Sequence, residues 1–248
     1  MSALPSIALI GDVKDIAGMP YHVVGDKYVR SIRDYAGAMP FLVLPPLDAA
    51  EIDLITDRFD GFMFTGSASN IHPSHWNGPA DTPGPFDEIR DELALLLVRT
   101  VVEKQVPALF ICRGFQELNV GLGGTLEPEL KRLPSRIEHH APEHAPLEEL
   151  YGPFHDMELS ENSPLIQVFG TRRFAVNSLH YQGLADIAPR LHVEGTAPDG
   201  TPEAVRVVDH PFAIGVQWHA EYRPDLSPPN ARLLAAFGTA ARDRRQAR

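Results

Sequence analysis

Only one cysteine, Cys112, occurs among the 248 residues. A single thiol excludes an intramolecular disulfide framework and any metal site built from several cysteines, and it suits a reducing compartment, so the cytoplasm is the expected location. Basic residues are in short supply too. With 22 Lys+Arg against 33 Asp+Glu, the formal charge of -11 repels phosphate backbones and anionic lipid surfaces. Neither a nucleic-acid partner nor a membrane partner is expected. No stretch approaches the roughly 20 continuous apolar residues of a membrane span. Residues 1–10 run into a short apolar segment with no basic region or small-residue cleavage site, so no export signal is expected. Repeats and low-complexity tracts are missing as well. The length suffices to bury a substantial core, and one domain over residues 1–248 is the expectation.

What is present alternates between two kinds of segment. Ser6-Ile7-Ala8-Leu9-Ile10 is a short apolar run that breaks at Gly11-Asp12, as a buried strand does when it enters a loop. Residues 26–35 mix apolar and charged side chains at helical spacing, with Gly37 as a stop. A strand over 41–44 closes at Pro45-Pro46, a helix is expected over 48–59, and a strand over 61–64 ends at Thr65-Gly66-Ser67. Residues 70–85 carry four prolines, two glycines and two histidines, which suits a long surface loop. A helix follows over 86–103, then the apolar strand 107–111, Cys112, and a helix over 114–122. Shorter alternating segments around Phe174, Leu191 and Ala204 read as antiparallel or mixed strands. Residues 230–241 read as a closing helix, with the arginine-rich end 242–248 expected to fray. Strands alternating with helices predict an α/β layered fold: a mostly parallel central sheet flanked by helices, with a smaller antiparallel or mixed region in the C-terminal half.

A cysteine between a buried strand and a helix sits at the carboxyl edge of the sheet, where α/β folds place their ligand sites. The positive end of the following helix favours a thiolate, and Gly114 removes a side chain where the turn is tight or a substrate approaches. By position alone, Cys112 suits a small buried filler as well as a nucleophile. A nucleophile needs a base, and the base a group that orients it. Of 11 histidines, His219 ends an apolar strand and is followed two residues later by Glu221, so in extended chain both project to one side. A strand-end histidine beside an exposed glutamate has the same pattern. Backbone N–H groups of the glycine turn at Gly66, and of Arg113 after the cysteine, are candidate oxyanion donors.

Three separated segments, Phe64-Thr65-Gly66-Ser67, Phe110-Ile111-Cys112-Arg113-Gly114-Phe115-Gln116-Glu117 and Gly215-Val216-Gln217-Trp218-His219-Ala220-Glu221, together resemble the class I glutamine amidotransferase superfamily. The second is similar to its Cys-x-Gly-x-Gln elbow and the third to its Trp-His-Pro-Glu signature, with Ala220 in place of the proline. The resemblance is closest to the γ-glutamyl-γ-aminobutyrate hydrolases of putrescine degradation, and Asn177-Ser178-Leu179-His180 and Ala197-Pro198-Asp199-Gly200 extend it over nearly the whole chain.

The resemblance implies a flavodoxin-like layering and hydrolysis of a γ-glutamyl amide through a glutamyl thioester. In that reaction Cys112 is the nucleophile, His219 the general base and acid, and Glu221 its orienting carboxylate. Gly66 and Arg113 supply oxyanion N–H groups, while Gln116, Asn177, Ser178, Leu179 and His180 contact the glutamyl moiety. The substrate is the expected small-molecule partner, and a homo-oligomer is compatible with the sequence. No metal or organic cofactor is expected, because His139, His140, His144 and His155 lie in a polar stretch without a recognisable ligand pattern. The loop over residues 70–85, with His72, His75 and Trp76, reads either as a cover over the mouth of the site, where it would select the amine, or as an ordinary surface excursion. Two other functions use the same cysteine: a glutaminase subunit that passes ammonia to a partner synthase, and a redox-sensing or binding protein that hydrolyses nothing.

Overall fold

A computed structural model describes residues 4–44, 48–142 and 144–248. The chain order is β1 (Ser6–Ile10), β2 (Asp12–Ile16), β3 (Met19–Val23), α1 (Asp26–Arg30), β4 (Met39–Val43), α2 (Ala49–Arg58), β5 (Gly61–Phe64), α3 (Glu88–Glu103), β6 (Ala108–Ile111) and α4 (Arg113–Gly121). Then come β7 (Leu126–Glu127), α5 (Leu147–Leu150), β8 (His155–Leu159), α6 (Leu165–Phe169), β9 (Arg173–Val176), β10 (Gly183–Leu184), β11 (Leu191–Thr196), β12 (Pro202–Val207), β13 (Ala213–Val216) and α7 (Pro228–Ala247).

Nine of these strands form one sheet in the order β4-β1-β5-β6-β13-β12-β11-β8-β9. The first five run parallel, and β12, β11, β8 and β9 continue the sheet antiparallel. Residues in β5, β6 and β13 are buried throughout, because helices cover both faces; such strands read as uninterrupted apolar runs. Helix α2 starts at a capping box in which Asp48 and Glu51 exchange side-chain to backbone bonds. Helix α1 continues as a π-helical turn over Ser31–Ala36 and stops at Gly37, which adopts a left-handed φ of 63°.

The described fold departs from the sequence reading in three places. Residues after Gly11 form the β2–β3 hairpin, turning through Ala17 and Gly18 at positive φ. The arginine-rich end does not fray: α7 runs to Ala247, and Arg242, Arg244, Arg245 and Arg248 donate to Ala36, Thr56, Leu4 and Asp60. Carbonyls of Ala36, Thr56 and Leu4 and the Asp60 carboxylate thus give each guanidinium a partner. Trp76 is buried and donates to the Ile71 carbonyl, so it anchors its loop to the core. The expected stop at Pro45 and Pro46 lies outside the described residues. Among those described, no helix is long and apolar enough to cross a membrane.

Candidate active site

Three neighbouring parallel strands, β5, β6 and β13, end at the same edge of the sheet. Adjacent strands lie ~4.8 Å apart, so the turns that follow them converge although more than a hundred residues separate the first from the last. Cys112 N–H donates to the Val216 carbonyl at 2.9 Å, which ties the end of β6 to β13. The chain then turns sharply: Cys112 has φ 53° and ψ -104°, a region that side-chain-bearing residues rarely occupy. Holding it there costs about 1–3 kcal/mol, supplied by the packing of α4 directly behind. Gly114 permits that packing, since a methyl group there would meet the Phe64 carbonyl oxygen at 2.3 Å.

Gly66, after β5, lies between the other two turns. A Cβ at this position would stand 2.6 Å from His219 Cε1 and 3.1 Å from Cys112 Cβ, so the imidazole and the nucleophile candidate face each other across it. His219 Nδ1 lies 2.8 Å from Glu221 Oε1. Asn177 holds the backbone of this histidine from both sides: its Oδ1 accepts from His219 N–H at 2.8 Å and its Nδ2 donates to the His219 carbonyl at 3.1 Å.

Two side chains that the sequence reading passed over complete the group. Lys27 Nζ lies 2.7 Å from Glu221 Oε1 and donates to the Tyr151 hydroxyl at 2.9 Å. The Tyr28 hydroxyl accepts the Gly66 N–H at 2.8 Å and lies 3.4 Å from His219 Nδ1. Burial works against a charged Glu221, yet the Lys27 and His219 charges overcome it and hold the carboxyl down to about 2. Burial and Lys27 both oppose protonation of His219, but Glu221 and Cys112 outweigh them and raise its pKa above the ordinary imidazole value. The site is therefore arranged to keep a carboxylate ionised behind a basic histidine.

Under the turns runs a buried ionic network. Arg90 donates to Glu117 at 2.8 Å, to Asp12 at 2.6 Å and to the Thr65 carbonyl, while Arg113 binds Glu117 and Asp91. It links the turn after β5 to the first turn of α4. In the sequence, Glu117 stands in the elbow motif, but nothing there discloses Arg90 as its partner.

The remaining predicted residues divide. Cys112, Arg113, Gln116 and Leu179 line one opening; Gly66, Lys27, Tyr28 and His219 line the other, and Ser67, Ala68, His140 and Leu179 border both. Arg113 opens α4, so its N–H has no earlier helical carbonyl to bind. The Gln116 amide donates to the Gln182 carbonyl and the Gln217 side chain, each at 3.2 Å. Ser178 corrects the sequence reading, whereas His180 borders the opening that holds Cys112. In this extended segment alternate side chains face opposite ways; the Ser178 hydroxyl donates to the His139 carbonyl, and the His180 ring is buried against Glu203. Asn177 likewise serves the histidine rather than the cleft. His72, His75 and Trp76 line neither opening, in contrast to the predicted cover, although Asn70 lines the first.

A cysteine at a sharp strand-to-helix turn, an opposed histidine and its carboxylate at one edge of a half-parallel sheet are the arrangement of the glutamine amidotransferase-like class. The chain matches the peptidase C26 family over residues 5–221 and belongs to it. It is 34% identical over 238 residues to the γ-glutamyl-γ-aminobutyrate hydrolase PuuD of Escherichia coli K12, a match that covers 95% of this chain and 93% of the relative. A candidate glutamine amidotransferase-like protein of Rickettsia prowazekii is 27% identical, covering 84% of this chain and 86% of its own. Among solved structures, a candidate GMP synthase subunit from Thermoplasma acidophilum superposes with a TM-score of 0.63, covering 99% of this chain and 100% of that one; at 14% identity this likeness speaks for the fold.

Proposed function

We propose that this chain hydrolyses the γ-glutamyl amide bond of γ-glutamyl-γ-aminobutyrate or a related γ-glutamyl-amine, as a step in amine catabolism such as that of putrescine. The observation that carries the reading is the strained Cys112 elbow opposed to His219, whose far nitrogen is bound to an ionised Glu221. The Cys112 thiolate attacks the γ-carbonyl carbon, and the carbonyl oxygen becomes an oxyanion. His219 protonates the departing amine, leaving a glutamyl thioester; it then takes a proton from water, whose oxygen attacks the thioester and releases glutamate and the thiol. Glu221 holds Nδ1 of the ring so that Nε2 performs both transfers.

The Arg113 N–H is one oxyanion donor. Gly66 is the other, and because its N–H is donated to Tyr28, the oxyanion exchanges with the Tyr28 hydroxyl for that bond. The similarity to PuuD over almost the full length of both chains supports the γ-glutamyl half of the substrate.

The deciding experiment measures kcat/KM of the isolated protein for a panel of γ-glutamyl-amines and for glutamine, with Cys112→Ser as the control. Efficient cleavage of γ-glutamyl-γ-aminobutyrate, lost in C112S, is expected. Activity retained by C112S would remove the mechanism, and turnover of glutamine alone, dependent on a partner protein, would replace the hydrolase reading by the glutaminase one.

A further inference from the structure

Behind the wall of the cleft, a second group of titratable side chains is sealed in the antiparallel half of the molecule. His139 comes from the segment between β7 and α5, His155 opens β8, His180 precedes β10, and Glu203 lies on β12. Their side chains are 1%, 5%, 2% and 0% exposed. His139 Nδ1 and His155 Nε2 each lie 3.6 Å from Glu203 Oε1, and His180 Nε2 lies 3.5 Å from the same oxygen. Ligand atoms of His139, His155 and Glu203 all fall within 4.8 Å of one another.

The outer nitrogens of the three rings fix where their protons are. His155 Nδ1 faces the Asp156 carbonyl at 3.1 Å, His180 Nδ1 the Gln182 carbonyl at 2.9 Å, and His139 Nε2 the Asp199 carboxylate at 2.9 Å. Carbonyls and carboxylates only accept, so each of these nitrogens carries the hydrogen, and in a neutral imidazole the other nitrogen then presents a lone pair. Three lone pairs therefore converge on one carboxylate. His139 Nδ1, His155 Nε2, His180 Nε2 and both Glu203 oxygens have no hydrogen-bond partner among the described residues. Buried acceptors assembled without a donor repel one another. One proton on Glu203 would serve a single ring and leave two facing it, whereas a cation serves all of them.

The geometry points to a buried site for a divalent transition-metal ion of zinc type, held by His139 Nδ1, His155 Nε2 and Glu203, with His180 Nε2 as the fourth ligand. Three features select this class. Tetrahedral bonds of about 2.0–2.1 Å set ligand atoms ~3.4 Å apart, close to the separations from Glu203. Imidazole with one carboxylate suits zinc and its neighbours, whereas calcium and magnesium take oxygen shells. Each ring is steered from behind by a carboxylate or a carbonyl, the outer support that metal-binding histidines use.

Four protein ligands with side chains at most 5% exposed make the site structural. It joins segments that are remote in sequence, and His180 directly follows Leu179, which borders both openings. His139 and His180 are further coupled by the His180 N–H to His139 carbonyl bond of 3.1 Å. The sequence reading grouped His139 and His155 with His140 and His144 and rejected a metal because that polar stretch shows no ligand pattern. The partners missing from that group are His180 and Glu203, which lie far along the chain, while His140 stacks on Tyr181 with ring centroids 4.2 Å apart.

The test is metal stoichiometry of the full chain, freed of any histidine tag, stripped with a chelator, reloaded with zinc or cobalt(II) and passed through gel filtration. Expected are about one ion per chain, a visible absorption band of tetrahedral cobalt(II), and a higher Tm with zinc. Glu203→Gln should weaken retention at least about tenfold, and His140→Ala should leave it unchanged. A wild-type protein that retains no zinc or cobalt and gains no thermal stability from either would overturn the proposal. So would retention undiminished in E203Q. The wild-type stoichiometry decides the matter even if E203Q fails to fold.

Discussion

Replacing Lys27 by methionine keeps most of the aliphatic stem and removes the cation beside Glu221. Glu221 is wholly buried, and its Oε1 is shared between Lys27 and His219. A carboxyl held at about 2, against an ordinary 4.5, stabilises the folded state by about 3 kcal/mol at neutral pH. Lys27 is the largest of the favourable influences, and its side chain is only 25% exposed, so the substitution should cost roughly 2 kcal/mol in urea unfolding at pH 7. A depressed carboxyl pKa gives stability that is present above the unfolded value and lost as pH falls through the folded one. The gap between wild type and K27M should accordingly close between pH 4.5 and about 2. In a Glu221→Gln background the same exchange should cost far less. A gap below ~0.5 kcal/mol at pH 7, or one that stays constant over that window, would refute the coupling. Because Lys27 opposes protonation of His219, K27M should also move the alkaline limb of kcat/KM to higher pH.

Three further outcomes follow from the same geometry. Gly66→Ala places a methyl group against His219 and Cys112 and should lower kcat/KM by at least about 100-fold; near-normal kinetics would mean that the turn is not part of the site. Cys112→Gly and Cys112→Ala should both be inactive, yet the glycine variant should be the more stable by about 1 kcal/mol, since only glycine tolerates φ 53° and ψ -104° without strain. Equal unfolding midpoints would contradict a strained elbow. Glu117→Ala leaves two buried guanidinium groups with one carboxylate each, Asp12 for Arg90 and Asp91 for Arg113, and should cost about 3 kcal/mol, read as a fall in Tm, whereas a loss under ~1 kcal/mol would show that the network is hydrated.

The parts of the molecule that sequence discloses are those where local pattern and tertiary role coincide. Ile7–Ile10, Phe62–Phe64 and Leu109–Ile111 are uninterrupted apolar runs because helices bury both faces of the sheet, and the two chemical motifs stand at the ends of such runs. Lys27 and Tyr28 escaped because nothing in an amphipathic helix tells which of its polar side chains meets a carboxylate almost two hundred residues away. The β2–β3 hairpin escaped because neither strand has a fully buried residue, so no buried alternating face marks it. Trp76 misled for the opposite reason: its proline-rich surroundings indicate a surface loop, yet its ring is the loop's attachment to the core. At Ser178, motif membership was mistaken for contact with substrate, while the alternation of an extended chain turns its hydroxyl inward to the His139 carbonyl.

Arg90 is bound at once to the Thr65 carbonyl beside the glycine turn and to Glu117 on the elbow helix. The turn and the helix that carry the two proposed oxyanion donors are thus clamped by a single guanidinium. Breathing of the surface loops, or the strain of admitting a bulkier amine, will displace the two donors together and leave the distance between them nearly constant. Substrate range in such a site can widen at its rim without a matching loss at the reacting carbon.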